Sequence, residues 1–196
     1  TTASGSVDVV NQHLGLFTGK AAFTPSGGGH SGAPGDYAVD FGTTKTGESV
    51  HIADARFLNE ASARDEMAIG GWQKLHSVTP AAFFWGISPS SSGDQRGWGT
   101  HAPWVDNTVY FDTAGCCDET QRTAESIYNF PLYPTPEDPS YWNAWHYLVF
   151  QKKQATKEIW IDGKLLVRSQ NAAALPTDFT EAFIGYAAAP GSSMLG

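Results

Sequence analysis

The sequence predicts an all-β protein, an antiparallel β-sandwich, and three patterns support this prediction. Aromatic and β-branched residues alternate over residues 144–152 and recur over 158–161, within the stretch WNAWHYLVFQKKQATKEIWIDGKLLV, and a period of two is typical of strands. Asp162 and Gly163 lie between two such runs and predict a type I′ hairpin, because that turn requires positive φ at both central positions. Short apolar runs elsewhere are separated by loops rich in Gly, Pro and Ser.

The segment 142–167 is therefore predicted to be a meander of antiparallel strands. Its first strand, 144–152, carries apolar residues on both faces. A strand with this composition is typically covered on both sides. We expect both of its faces to be buried.

The remaining strands are predicted from shorter patterns of the same kind. They are residues 6–10, 14–23, 37–41, 49–52, 67–75, 81–87, 97–102, 108–112 and 122–128. The glycine-rich segment 26–36 is interpreted as a surface loop, because it lacks the Lys-Ser/Thr of a phosphate-binding loop. Residues 131–139 are predicted to cross as an extended loop, because proline cannot donate to a β-ladder. Residues 59–66 fit either a helical turn or a loop ahead of the next strand.

Two groups of residues resemble a known family. The runs W-H-Y-L-V-F, K-E-I-W-I-D-G-K-L-L and A-F-I-G-Y, between residues 145 and 186, resemble the closing half of the laminin G-like domains of the concanavalin A-like group. The runs Y-A-V-D-F-G and V-H-I, within residues 37–52, resemble its opening strands. The resemblance implies an antiparallel two-sheet jelly-roll β-sandwich forming one domain over residues 1–196. A different β-sandwich is the alternative.

The resemblance also predicts an incomplete sheet. Members of this family usually follow the I-G strand with a loop and a last strand, whereas this sequence ends at Gly196, where that strand would begin. Either the sequence is a fragment, or the place of that strand is filled by another segment or another molecule. Our hypothesis is an open sheet edge beside the strand of Phe183. An open edge recruits further strands, so a homo-oligomer through this edge is a corresponding expectation.

Composition excludes some classes of partner. The chain has 196 residues, of which 41% are hydrophobic and 13% aromatic, enough for a sizeable core. A formal net charge of −8 argues against nucleic acids and anionic membranes, because phosphate binding needs a concentrated basic patch. No apolar run approaches the roughly 20 residues of a membrane span. The resemblance implies an extracellular or cell-surface location.

The candidate ligand site is the segment 101–122, HAPWVDNTVYFDTAGCCDETQR, which combines aromatic and charged residues. Aromatic rings stack on the C–H faces of sugars, and charged groups bind sugar hydroxyls. The predicted glycan-binding residues are His101, Trp104, Asp106, Tyr110, Asp112 and Arg122. The alternative is that the rings of Trp104, Tyr110 and Phe111 alternate into the core and that the acidic residues are solvated.

Cys116 and Cys117 are the only cysteines, and they are adjacent. No further Cys or His lies at a spacing that would complete a zinc site. The two thiols can form a vicinal disulfide, divide into one buried and one exposed thiol, or pair with another chain. We favour the vicinal disulfide, which fits an oxidising compartment.

Calcium is a further expectation from the resemblance, because some related domains bind this ion through loop carboxylates and carbonyls. The chain has no D-x-D-x-D loop, the spacing typical of dedicated calcium loops. The candidate ligands are Asp106, Asp112, Asp118 and Glu119.

Three classes of function follow from the sequence. The favoured class is a non-catalytic carbohydrate-binding or adhesive module of a secreted or surface protein, with a glycan or cell-surface polysaccharide as its partner. The second is a structural subunit of an extracellular fibre or surface layer that assembles from copies of itself. A glucanase is the weakest class, because the chain lacks the E-x-D-x-E triplet. A G-x-S-x-G elbow is also absent from the sequence, and we expect no enzyme activity.

Overall fold

The computed structural model describes residues 4–8, 10–43, 47–134, 138, 140–186 and 196, and it is built almost entirely of antiparallel strands. The strands are β1 (Gly5–Val7), β2 (Leu14–Thr18), β3 (Ala22–Phe23), β4 (Val39–Asp40), β5 (Ser49–Ile52), β6 (Glu66–Gln73), β7 (Phe84–Ile87), β8 (Arg96–His101), β9 (Thr108–Thr113), β10 (Arg122–Ser126), β11 (His146–Lys153), β12 (Thr156–Ile161), β13 (Lys164–Gln170) and β14 (Glu181–Ile184). The helical segments are α1 (Leu58–Ser62), α2 (Ser92–Gln95) and two 3₁₀ turns, Ile127–Asn129 and Tyr141–Asn143. The predicted all-β class is confirmed.

The strands form two principal sheets and one short ribbon. The larger sheet has eight strands in the order β1-β2-β5-β14-β7-β8-β9-β10, and the smaller has four in the order β13-β12-β11-β6. Strands β3 and β4 pair separately. Every pairing is antiparallel, so this is the predicted two-sheet sandwich.

The hydrophobic core joins the two principal sheets. Trp98 of β8 packs against Phe111 of β9 with the two rings tilted and their centroids 4.5 Å apart. Phe111 in turn meets Phe150 of β11, on the opposite sheet, at 5.7 Å. All three rings are fully buried, and the burial of such rings is the main driving force for the sandwich.

The hairpin signal in the sequence is confirmed. Strands β12 and β13 are joined by Asp162 and Gly163, with φ values of 50° and 74°, as a type I′ turn requires. Residues 59–66 begin inside α1, so the helical alternative applies to their first turn. The proline-rich segment 131–139 lies partly outside the described residues.

Two expectations about the sheets are wrong. The strand of Phe183 is paired on both sides, because Phe183 lies opposite His51 of β5 and opposite Trp85 of β7. The predicted open edge beside this strand therefore does not exist. Strand β11 is buried on one face only, since Tyr147 is 39% exposed.

None of the described helices combines the length and the apolar character needed to span a membrane.

Candidate ligand-binding site

The candidate site lies on the outer face of the eight-stranded sheet. One row of residues in register crosses β7 to β10: Trp85, Gly99, Asp112 and Arg122. In the next row, His101 lies opposite Tyr110. Because side chains alternate between the faces of a strand, these residues point away from Trp98 and Phe111 in the core.

A cavity of about 280 Å³ opens on this face. It is lined by Arg96, His101, Trp104, Asp106, Tyr110, Cys117 and Arg122. Five of the six predicted glycan-binding residues are in this lining, and the sixth, Asp112, contacts both arginines. The structure thus brings the predicted residues together, while their binding role stays a prediction.

Asp112 is the buried centre of the site. Its side chain is fully buried, and it accepts hydrogen bonds from Nε and Nη2 of Arg122 at 2.7 and 2.8 Å. Nη1 of Arg96 donates to the same carboxylate. The predicted ligand contact through Asp112 therefore needs a correction, because its oxygens are already bound by two guanidinium groups and its side chain is closed to solvent.

Each arginine is held against an aromatic ring. The guanidinium carbon of Arg96 lies 4.3 Å from the ring centroid of Trp85, and that of Arg122 lies 4.4 Å from the ring of Tyr110. Gly99 leaves room for this arrangement, since a Cβ there would lie 2.8 Å from Cδ of Arg96. Cation–π contacts of this kind hold each guanidinium group in place over the face of its ring.

His101 is a neutral group in this cavity. Its pKa is lowered to about 4, because the effect of burial outweighs the hydrogen bond to the Ala81 carbonyl, which raises the pKa. Nδ1 lies 2.8 Å from that carbonyl oxygen, and a carbonyl only accepts, so Nδ1 carries the proton. Nε2 is then a hydrogen-bond acceptor. The His101 ring packs edge to face with the Trp104 ring, with ring centroids 4.6 Å apart.

Asp106 and Tyr110 form the more exposed side of the cavity. The Tyr110 hydroxyl donates to Asp106 at 2.6 Å, and the Thr108 amide donates to the same carboxylate at 2.9 Å. Partial burial would raise the pKa of Asp106, but these hydrogen bonds outweigh it and lower the pKa. Asp106 is therefore a charged acceptor at neutral pH.

A vicinal disulfide closes one side of the site, and the corresponding prediction is confirmed. Cys116 and Cys117 are joined to each other. Nη2 of Arg122 contacts Sγ of Cys116 at 3.2 Å, and Cys117 lines the cavity. The disulfide presents sulfur, a polarisable apolar surface, next to the guanidinium groups.

A left-handed turn packs beneath the disulfide. In α2, Gly93 and Asp94 have φ values of 58° and 64°, a region that is easily reached by glycine. A Cβ at Gly93 would lie 3.0 Å from Cβ of Cys116, and one at Gly115 would lie 2.2 Å from Oγ of Ser92. Glycines at both positions allow the two loops to meet.

Lys157 supports the site from the opposite sheet. It lies fully buried on β12 and donates through Nζ to the carbonyls of Phe111 and Gln121, both at 2.8 Å. Burial lowers its pKa to about 7, although the charge of Asp112 opposes this shift. The side chain ties the strands that carry Asp112 and Arg122 to the far side of the sandwich.

The alternative in which all the rings are core residues applies to one ring of three. Phe111 is fully buried, whereas Trp104 and Tyr110 are partly exposed and line the cavity. Nor is Asp112 solvated, while Asp106, Asp118 and Glu119 are exposed.

The carboxylates named for calcium do not form a group in the described chain. Asp118 instead accepts from the amide and hydroxyl of Thr120, at 2.8 and 2.6 Å. The one described group of potential metal ligands is Asp112 with Cys116 and Cys117. Its sulfurs are joined in the disulfide and its carboxylate is bound by arginines, so this group does not suit an ion that prefers oxygen ligands. Calcium binding stays a prediction.

Three residues of the site were missed from the sequence: Arg96, Trp85 and Lys157. Arg96 and Trp85 lie 5 to 16 positions before the predicted segment, and only strand pairing brings them to it. The sequence signal that could have indicated Arg96 is the R-G-W-G-T-H pattern of β8. In this pattern glycine alternates with larger residues, so one face of the strand has room for a long side chain. Lys157 gave no signal, because a lysine in a strand is most often exposed.

Comparisons with known proteins identify the fold. No protein-family model matches the chain, and no curated protein sequence matches it. Among solved structures, domain 4 of AbnA, an extracellular GH43 arabinanase from Geobacillus stearothermophilus in complex with arabinotriose, matches with a TM-score of 0.59 at 12% identity, over 99% of this chain and 90% of that chain. The CBM40 of Ruminococcus gnavus IT-sialidase, bound to α2,3-sialyllactose, matches with a TM-score of 0.51 at 12% identity, over 76% of this chain and 79% of that chain.

A third match is a part of a larger chain. The binding domain of botulinum neurotoxin DC in complex with SialylT gives a TM-score of 0.54 at 12% identity, over 89% of this chain and 40% of that chain. Identities this low carry the fold only. The antiparallel two-sheet jelly-roll sandwich implied by the resemblance is confirmed, whereas membership of the concanavalin A-like group and of its laminin G-like family stays a prediction.

Proposed function

We propose that this protein is a non-catalytic carbohydrate-binding module of a secreted or cell-surface protein, and that the cavity on the eight-stranded sheet is its glycan site. The observation that carries the proposal is the convergence of Trp104, Tyr110, His101, Asp106 and Arg122 around one cavity. These groups come from three strands and one turn. Binding sites typically combine apolar walls with a few oriented polar groups in this way.

The cavity offers each kind of contact that a sugar requires. The rings of Trp104 and Tyr110 and the sulfur of Cys117 provide apolar surface for the C–H face. Nε2 of His101 and the carboxylate of Asp106 accept from hydroxyl groups, and the guanidinium groups donate. A volume of about 280 Å³ suits one end of a glycan rather than a long stretch of it.

The solved structures of the same fold support this proposal. Domain 4 of the arabinanase holds arabinotriose, and the CBM40 domain holds α2,3-sialyllactose. A non-catalytic role is supported by the pairing of Asp112, because glycoside hydrolysis uses two available carboxyl groups and Asp112 is buried between two arginines. Asp106 is then the one acidic residue in the cavity lining with its carboxylate accessible.

A glycan array tests the proposal, followed by titration of the glycans that bind. We expect Trp104→Ala to weaken binding at least about tenfold, corresponding to the loss of about 1.4 kcal/mol. The matched control is Trp72→Ala, since Trp72 is also an exposed tryptophan but lies on β6 of the other sheet. Equal binding by Trp104→Ala and wild type would contradict the site.

The same samples test the alternatives. Binding measured with calcium and then with EDTA decides whether an ion contributes. Absence of glycan binding together with concentration-dependent polymers in sedimentation would favour the structural subunit, and release of sugar from any bound glycan would favour an enzyme.

A further inference from the structure

The two arginines of the cavity outnumber the buried acid between them. Arg96 and Arg122 both bind Asp112, whose side chain is fully buried. No other ion pair of either arginine occurs within the described parts of the chain. Neutralising one buried carboxylate requires one cation, so one positive charge at this position has no structural partner.

The guanidinium groups also retain unused donors. Each has five N–H donors in a fixed plane, and their contacts are one from Arg96 and two from Arg122 to Asp112, with one from Arg122 to Cys116. Nε of Arg96 is buried and has no hydrogen-bond partner. The unused donors available to a ligand are therefore N–H groups at the ends of the guanidinium groups, because Nε of Arg96 is itself closed to solvent.

The position of these donors is fixed before any ligand binds. Trp85 and Tyr110 stack on the two guanidinium planes, and both arginines line the cavity. The side chains are 13% and 26% exposed for Arg96 and Arg122, so they are accessible from the cavity and shielded from bulk water. A preorganised cation in such a place binds an anion more strongly than a mobile surface lysine does.

The unpaired positive charge of Arg96 and Arg122 is confined to this cavity. The whole chain has a formal net charge of −8, so the cavity is not a portion of a generally basic surface. Asp106 is a negative charge at the exposed side of the same cavity, and its charge contributes to raising the pKa of Arg122. It reduces the attraction for an anion without occupying the arginine donors.

We propose that the glycan bound in this cavity is acidic, and that a sugar carboxylate is held by Arg96 and Arg122. This inference rests on the glycan site proposed above. The planar guanidinium group matches a carboxylate with two parallel hydrogen bonds, while Trp104 and Cys117 cover the apolar face of the same sugar.

Carboxyl reduction gives a direct test. Wild-type protein is applied to an array of uronate- and sialate-containing glycans printed beside the same glycans after reduction of each carboxyl group to an alcohol. We expect binding to the acidic members and a loss of at least about tenfold on reduction. Binding that survives reduction, or binding to neutral glycans alone, would overturn the acidic ligand and leave the glycan site standing. No binding to any glycan would overturn both.

Two substitutions give independent readouts. Arg122→Lys keeps a cation beside Asp112 but removes the planar fork, and we expect it to weaken binding of the acidic glycan at least about tenfold. Asp106→Asn removes the competing charge while keeping an acceptor for Tyr110, and we expect about two- to fivefold tighter binding at low salt.

Thermal melts of both variants report whether the fold is retained. The control for Asp106→Asn is Glu60→Gln, which removes an exposed charge on α1 outside the cavity and should leave affinity unchanged. Because Asp106 also accepts from sugar hydroxyls, the deciding measurement is the ratio of the affinities of Asp106→Asn for the acidic glycan and for its carboxyl-reduced form. A ratio smaller than that of the wild type would overturn the proposal even if Arg122→Lys failed to fold.

Discussion

The outer faces of the two sheets both carry exposed aromatic rings, but they differ in how charge is balanced. On the four-stranded sheet, Trp72 lies opposite Tyr147, and Glu158 lies opposite Gln151. That carboxylate accepts from Arg168, Gln151 and Nε1 of Trp160, the last at 3.0 Å. On the eight-stranded sheet, Asp112 is bound by two arginines and by no neutral donor among the residues that the structure describes.

The two carboxylates also differ in how completely their cations are paired. Glu158 has one cation, Arg168, whose side chain is 56% exposed, and neutral groups complete its hydrogen bonds. Asp112 instead binds two large cations, and Gly99 opposite it makes room for one of them, Arg96, because it has no side chain. The first arrangement pairs each charge with one partner, whereas the second has one more cation than anion, and we propose that an acidic ligand supplies the missing partner.

The largest expected effect tests this difference in stability. Asp112→Asn leaves two partly buried guanidinium groups without a counter-charge, and we expect a loss of about 3–5 kcal/mol in the free energy of unfolding. Glu158→Gln is the matched change on the other face, where the exposed arginine is solvated and we expect about 0–1 kcal/mol. Urea unfolding of both variants measures the two values, and equal losses would contradict the comparison.

A second effect comes from His101 and is seen as a pH dependence. Its pKa is lowered to about 4 in the folded protein, against about 6.5 in an unfolded chain, so the unfolded state binds more protons between these values. Stability should therefore rise as pH increases from about 4 to 6.5, by up to about 3 kcal/mol from this residue.

The control for that slope is His101→Gln, which removes the titrating group. Its urea midpoint should depend less on pH over this window than that of the wild type. An unchanged slope would mean that His101 does not titrate as a buried group.

The smallest of these effects concerns the link between the two sheets. Lys157→Met removes the donor to the carbonyls of Phe111 and Gln121, and we expect a loss of about 1–3 kcal/mol at pH 7. The wild-type lysine has a pKa lowered to about 7, below its unfolded value, so stability should rise between about pH 7 and 10.5. The variant should lack this rise, and urea unfolding at pH 7 and 9 compares the two.

The strands could be predicted because their signals are local. The β12–β13 hairpin follows from Asp162 and Gly163, whose conformation depends on the turn itself. The pairing of the Phe183 strand could not be predicted in this way, because its neighbours β5 and β7 are far apart in sequence. The expectation of an open edge at that strand came from a family pattern and failed for this reason.

For the candidate site, the sequence alone determined which kinds of side chain are concentrated in residues 101–122 and that two adjacent cysteines lie among them. Tertiary structure decided which of these groups face a cavity, that Asp112 is enclosed, and that Arg96 joins Arg122 beside it. The physical reason is that the face of the sheet on which a side chain lies follows from alternation along its own strand. The charged groups that it contacts depend instead on the register with neighbouring strands, which come from elsewhere in the chain.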